Sequence, residues 1–279
     1  MQGTMWGRTA ALLLALALVA AAPKPARATA AATGATVAQV VGFGALAATF
    51  AYFAWLNRPA AQGTVDWGVK GPGGFFVGAF VGGGFVQSAR WQLAQAGVTT
   101  SRVNFEPSPL GGLKAGYFLH SFPYFGAEIE FMFDKHNTGT TQVSLSRPVR
   151  SSATALLPVY HINVSTLAFH FLLRYGFLPD KEVPFGRLQP YVGLGPGFVI
   201  LWSTYDSAKN FSLEASAGVR YMVRKNVSLF AEYKFSQQWE VELDSMRYSI
   251  PGVPGQITDK ATFDFTAHRF AVGVAFHFL

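Results

Sequence analysis

Ten ionisable residues stand out because each lies between residues of opposite character: Lys114, Glu128, Glu130, Asp134, His170, Arg174, Glu214, Arg220, Glu232 and Lys234. Five carboxylates, four cations and an imidazole could act as general acids and bases, ligate a cation or line an aqueous pore. They could also neutralise one another, as charges must where water is scarce. Spacing separates these readings. A nucleophile needs its base within hydrogen-bond reach, yet His170 is followed by Phe171 and Leu172, with no serine two positions on. His120 and Ser121 are adjacent, and adjacent strand residues face opposite ways. The histidines at 120, 136, 161, 170, 268 and 277 form no i, i+4 pair of the kind that holds zinc. The glycine-rich run 78–84 is not followed by GK[ST] in a strand–loop–helix setting, so it is no phosphate loop. The absence of cysteine removes thiolate sites, disulfides and Cys nucleophiles together. The expectation is no catalytic residue, no cofactor and no metal, with the ten residues forming a salt-bridged network that fills an enclosed lumen. A narrow pore lined by the same residues is the alternative.

The element that positions them is clearest at 210–240, NFSLEASAGVRYMVRKNVSLFAEYKFSQQWE. Phe211, Leu213, Ala215, Ala217, Val219, Tyr221 and Val223 form one apolar row, interleaved with Ser212, Glu214, Ser216, Gly218, Arg220 and Met222. After Arg224-Lys225-Asn226 the step of two resumes with Val227, Leu229, Ala231, Tyr233 and Phe235. Strand side chains alternate faces, so this is a hairpin with one apolar and one polar side. Its arms are longer than the five or six residues usual in soluble sandwiches and long enough to cross a bilayer at a tilt.

The same pattern predicts six more strands, at about 75–90, 110–120, 124–136, 162–176, 188–203 and 262–278. Short or medium connections at 120–124, 177–187 and 224–226 alternate with long polar ones at 91–109, 137–161 and 241–261, while 204–209 is short. Short turns on one side and longer loops on the other suit an outer-membrane barrel with its N-terminus in the periplasm. Two aromatic belts are expected: Phe75, Tyr124, Phe125, Tyr191, Tyr221, Phe276 and Phe278 at the turn side, and Trp91, Trp202, Tyr205, Trp239, Phe263 and Phe265 at the loop side. The fold class is therefore all-β, an eight-stranded antiparallel up-and-down transmembrane β-barrel. A soluble lipocalin-like barrel would carry the same periodicity with the faces exchanged.

The N-terminal part differs. Residues 1–28 read as a secretory signal peptide, with Arg8, a short apolar core at 10–22, and Ala26-Arg27-Ala28 or Ala28-Thr29-Ala30 as cleavage site. Residues 36–56 carry no charge and predict an apolar helix, but a stop-transfer helix there would keep the barrel from the outer membrane. A Gly/Pro-punctuated linker follows, so the domains expected are 1–28, an apolar helical segment and linker at 29–72, and the barrel at 73–279. The formal charge of +7 falls to +4 once Arg8, Lys24 and Arg27 are set aside from the 22 basic residues against 15 acidic. That excess is too small and scattered for nucleic acid.

At LQPYVGLGPG (188–197), GVRYMVRKNVSLFAEYKF (218–235) and HRFAVGVAFHF (268–278) the chain resembles the OmpA-like and opacity-protein superfamily of eight-stranded outer-membrane barrels. The resemblance covers about 73–279. It departs at the end, where Leu279 follows the Phe278 that would usually close such a chain. It implies a bacterial outer-membrane location, contact with outer-membrane lipid and lipopolysaccharide, the barrel-insertion machinery as a partner, and a monomer with no nucleic-acid partner. It leaves open a surface ligand and three roles: envelope integrity or adhesion first, a small solute pore second, a lipid A-modifying enzyme third.

Overall fold

A computed structural model describes residues 73–139, 142–146, 152–203 and 206–278. The expected signal peptide, apolar helix and linker, together with Tyr205 and Leu279, lie outside the described residues. The described chain is all-β, with antiparallel pairing throughout.

Eight long strands form a circuit. β1 (Gly74–Val86) pairs with β4 (Ser108–Phe118), then follow β5 (Phe125–Asn137), β8 (His161–Arg174), β9 (Leu188–Trp202), β10 (Ser207–Arg224), β11 (Val227–Tyr248) and β12 (Ile257–Phe278). β12 also pairs with β1, from Phe75 opposite Phe278 to Val86 opposite Ala267, so the pairing returns to its start. Closure of this kind leaves no free edge among these strands. At one end, the turn end, lie the connections 119–124, 175–187 and Lys225–Asn226, together with the first and last strand ends. The other, the loop end, carries the remaining connections.

The loop end departs from the sequence expectation. Irregular loops were expected at 91–109, 137–161 and 241–261, but much of this chain is sheet. β2 (Ala89–Leu93), β3 (Val98–Val103), β6 (Gln142–Ser146) and β7 (Ser152–Leu156) extend from the upper part of β12 in the order β12-β2-β3-β6-β7. A bridge from Leu156 to Ser249 ties β7 back to the chain just after β11. Four of these strands are too short for period-two counting to separate them from loop. The extension of β11 is hidden for a different reason. Its register shifts between Gln238 and Val241, where Glu240 has φ +51°, so the alternation changes phase at a bulge. Beyond that bulge, and a second between Leu243 and Met246, β11 and β12 reach 22 residues each. A bilayer crossing takes roughly 9–11, so these strands are about twice the span.

Burial along the circuit alternates as the apolar rows predict, with the apolar side outward. Leu113, Leu194, Val219, Leu229, Phe270 and Val272 are exposed, while Lys114, Glu130, Glu232 and Arg269 are at most 4 % exposed. The enclosed face is polar midway and apolar at the loop end. There Trp91, Leu93, Val103, Val143, Leu201, Val241, Phe263 and Phe265 belong to one buried cluster under the short strands. Trp91, Phe263 and Phe265 are therefore core residues, not members of an outer aromatic belt, and Tyr191 is likewise buried. Aromatic residues of both roles alternate with small ones, which is why composition at strand ends could not separate a belt from a core.

Candidate functional site

The ten residues singled out from the sequence are all buried. Strand parity brings them to the enclosed face, and register stacks them in tiers. Glu128 and His170 are direct partners across β5 and β8, and Lys114 faces Glu130 across β4 and β5. Lys234 and Glu232 lie two apart on β11, hence on one face.

The middle tier is an ion-pair network. Lys114 Nζ donates to Glu232 and lies 3.4 Å from Glu128 and 3.9 Å from Glu130. Lys234 Nζ donates to Glu130 at 2.6 Å and to Glu232 at 2.5 Å. The Tyr191 hydroxyl also donates to Glu232, and His170 Nδ1 lies 3.6 Å from Glu128. Buried carboxylates keep their charge only with partners of this kind. Towards the loop end Arg269 Nε donates to Asp134 at 2.7 Å, and His136 Nε2 meets the same carboxylate at 2.8 Å. Glu214 accepts from Ser212 at 2.5 Å and from Ser236 at 2.7 Å. Arg269 and His136 were absent from the sequence-derived set. Parity with Ala271 and Ala275 assigns Arg269 to the enclosed face, but the conspicuous aromatic row of that strand draws attention to the opposite side.

The turn-end tier is aromatic and basic. Arg174 Nε donates to the Pro123 carbonyl at 2.8 Å and its Nη1 to Gln189 Oε1 at 3.0 Å, with Phe118 and Phe185 stacked about its guanidinium. Arg220 lies over Phe76, with its Cζ 4.5 Å from the ring centre. Close approach here requires glycine. A Cβ on Gly116 would stand 2.5 Å from Phe76 Cζ, and one on Gly112 2.3 Å from Phe80 Cζ, so both rings lie where a side chain would otherwise project. The turn 175–187 folds Val183 and Phe185 inward, both buried. Its outer side is held by Arg187, which contacts Asp180 and, at 2.8 Å, Glu182. The amide of Val183 and the guanidinium of Arg187 hold the Asp180 carboxyl below the usual carboxylate range, and Arg187 does the same for Glu182.

Two arrangements could support chemistry. Ligand atoms of Glu128, Glu130 and His170 lie within 4.8 Å of one another, close enough to consider a cation. Lys114 and Lys234 already sit against those carboxylates, so the cluster meets its charge requirement from within the chain. Ser228 Oγ also lies 2.8 Å from His277 Nε2, a pairing the sequence reading did not bring together. The charges acting on His277 are Arg220 and Arg174, of opposite sign to the acid that orients a catalytic histidine.

Charges inside and apolar side chains outside are the reverse of a soluble barrel. Residues 81–278 match the outer membrane protein beta-barrel domain family. The chain belongs to that family. It is a bacterial outer-membrane protein, at the location that the three sequence motifs imply. A comparison with characterised proteins by sequence returns no match. Among solved structures, this family member is similar to the outer membrane protein OprG from Pseudomonas aeruginosa, at 15 % identity and a TM-score of 0.47, over 75 % of this chain and 97 % of that one. It is also similar to Neisserial surface protein A, at 12 % identity and a TM-score of 0.41, over 73 % and 97 % of the two chains. The outer membrane protein AlkL in lipid bilayers gives 15 % identity and a TM-score of 0.41, over 74 % and 90 %.

Proposed function

We propose that this protein is a non-enzymatic, eight-stranded, up-and-down transmembrane barrel that serves envelope integrity or surface adhesion through the sheet at its loop end. The observation that carries the reading is an enclosed face filled from end to end. Phe76, Phe118, Arg174 and Phe185 are packed at the turn end, the Lys114–Glu232–Lys234–Glu130 network in the middle and the Trp91–Phe263 core at the loop end, each residue at most 7 % exposed. An eight-stranded barrel has an interior that side chains fill, which favours a closed structure over a pore. In this reading the turn end faces the periplasm, the outward rows meet outer-membrane lipid, and β2, β3, β6 and β7 stand outside beside lipopolysaccharide. The exposed side of that outer sheet carries Arg90, Gln92, Ser101, Arg102 and Ser144, a polar surface suited to an external ligand. The barrel-insertion machinery would be its partner in assembly, and the closed circuit is compatible with a monomer.

Two measurements test this together. Purified, folded protein in a planar bilayer is expected to show no unitary conductance, and cells displaying it to lose any surface binding when 142–156 is replaced by a short Gly/Ser turn. Steady ion-selective openings would replace the reading with a solute pore. Altered lipid A acyl chains in expressing cells would replace it with a modifying enzyme.

A further inference from the structure

We propose that Arg220 and Arg174 form a binding site for one small anion, of chloride or carboxylate chemistry, just inside the turn end of the strand circuit. Arg220 is 1 % exposed, and neither Nε nor either terminal nitrogen has a hydrogen-bond partner among the described residues. No carboxylate of the described residues lies within ion-pair distance of it either, in contrast to Lys114, Lys234 and Arg269 in the tiers above. What surrounds Arg220 is aromatic: the ring centres of Phe76, Phe118 and Tyr191 lie 4.5, 5.4 and 5.4 Å from its Cζ. Rings stabilise a guanidinium through its flat face. They leave the N–H edge without an oxygen or halide to accept, and five buried donors without acceptors are costly.

The second charge makes this a site. Arg174 packs on Phe118 as well, its Cζ 3.6 Å from the ring centre that Arg220 approaches at 5.4 Å, so two cations share one aromatic ring. Like charges brought together in a poorly hydrated place repel, and an anion between them relieves both the repulsion and the empty donors. The Arg174 bonds to Pro123 and Gln189 fix that guanidinium from two sides without adding negative charge. Selection follows from the surroundings. Aromatic walls exclude a large hydrated ion, while the guanidinium edge suits a halide or a single carboxylate, the latter in bidentate form.

The test uses the unmutated, folded protein in non-ionic detergent. The midpoint of its heat-induced gel shift is followed as sodium chloride or sodium formate replaces the bulky sulfonate sodium isethionate at constant ionic strength. The expected result is a saturable rise of roughly 3–6 °C with at least one of these anions, lost in Arg220→Met and in Arg174→Gln but kept in the exposed-turn variant Arg187→Gln. Crystals grown in bromide should show anomalous density between the two guanidiniums, a readout that does not depend on any variant folding. An unchanged midpoint in both anions, an equal response in Arg220→Met, or bromide density only at the surface would each overturn the site. If the midpoint rises with formate alone, the ligand is a carboxylate. If it rises with chloride, the ligand is a halide.

Discussion

At the scale of single residues, the interior is governed by the cost of burying charge. Asp134 keeps a buried carboxylate because Arg269 and His136 both contact it. Arg269→Leu should therefore cost about 3–5 kcal/mol, read from urea unfolding in lipid vesicles. Adding Asp134→Leu to that variant should recover much of the loss, since an unpartnered charge costs more than an absent pair. An additive double variant would mean that the pair does not interact. The turn at 180–187 behaves differently because its two carboxylates, Asp180 and Glu182, are exposed. The Asp180 and Glu182 carboxyls are held below their ordinary values, Asp180 first by the Val183 amide and Glu182 first by Arg187. A depressed carboxyl contributes stability that is present above its unfolded pKa and lost as pH falls through its folded one. Amide exchange at Val183 and Gly186 should accordingly speed up, beyond the intrinsic trend, as pH drops below the carboxylate range. Arg187→Ala should reduce that dependence, and identical pH profiles in the two proteins would contradict it.

At the scale of elements, alternation positions everything. The hairpin of β10 and β11 was legible because Leu229, Ala231, Tyr233 and Phe235 keep a strict step of two against Glu232 and Lys234. That step also sets the ten polar residues on the face opposite the apolar rows, and their burial shows that this face is the enclosed one. Their partners were not legible. Lys114 and Glu232 are 118 positions apart, and only closure of the circuit brings β4 and β11 to face each other. Sheet at the loop end was missed because short strands resemble polar loops and the bulge at 238–241 breaks the phase. The outward and enclosed faces of the strand circuit should respond differently to substitution, as Leu229 on β11 and Gly116 on β4 illustrate. Leu229→Arg, on the exposed row, should destabilise by about 2–4 kcal/mol near mid-bilayer. Gly116→Ala, on the enclosed row, should disturb the aromatic packing instead, since its Cβ would meet Phe76. That variant should show altered near-ultraviolet circular dichroism with unchanged far-ultraviolet signal; unchanged near-ultraviolet signal would mean that Phe76 does not rest there.

At the scale of the whole molecule, β11 and β12 are about twice the length of a bilayer crossing, and in the proposed reading the excess forms a second, solvent-facing storey. Its core of Trp91, Val103, Val143, Val241 and Phe263 buries apolar surface inside, so it obeys the inside-apolar rule of soluble proteins. The storey below inverts that rule. One chain thus carries two opposite solvation patterns, and the place where they exchange marks the expected edge of the bilayer. The central claim is that the apolar row of the lower storey faces lipid and the charged row does not. It is tested most directly by spin labels placed singly at 229, 230, 231 and 232 in the vesicle-inserted protein, with accessibility to oxygen measured in the bilayer. High accessibility at 229 and 231 with low accessibility at 230 and 232 is the predicted result. Equal accessibility at all four positions, or the reverse alternation, would contradict it.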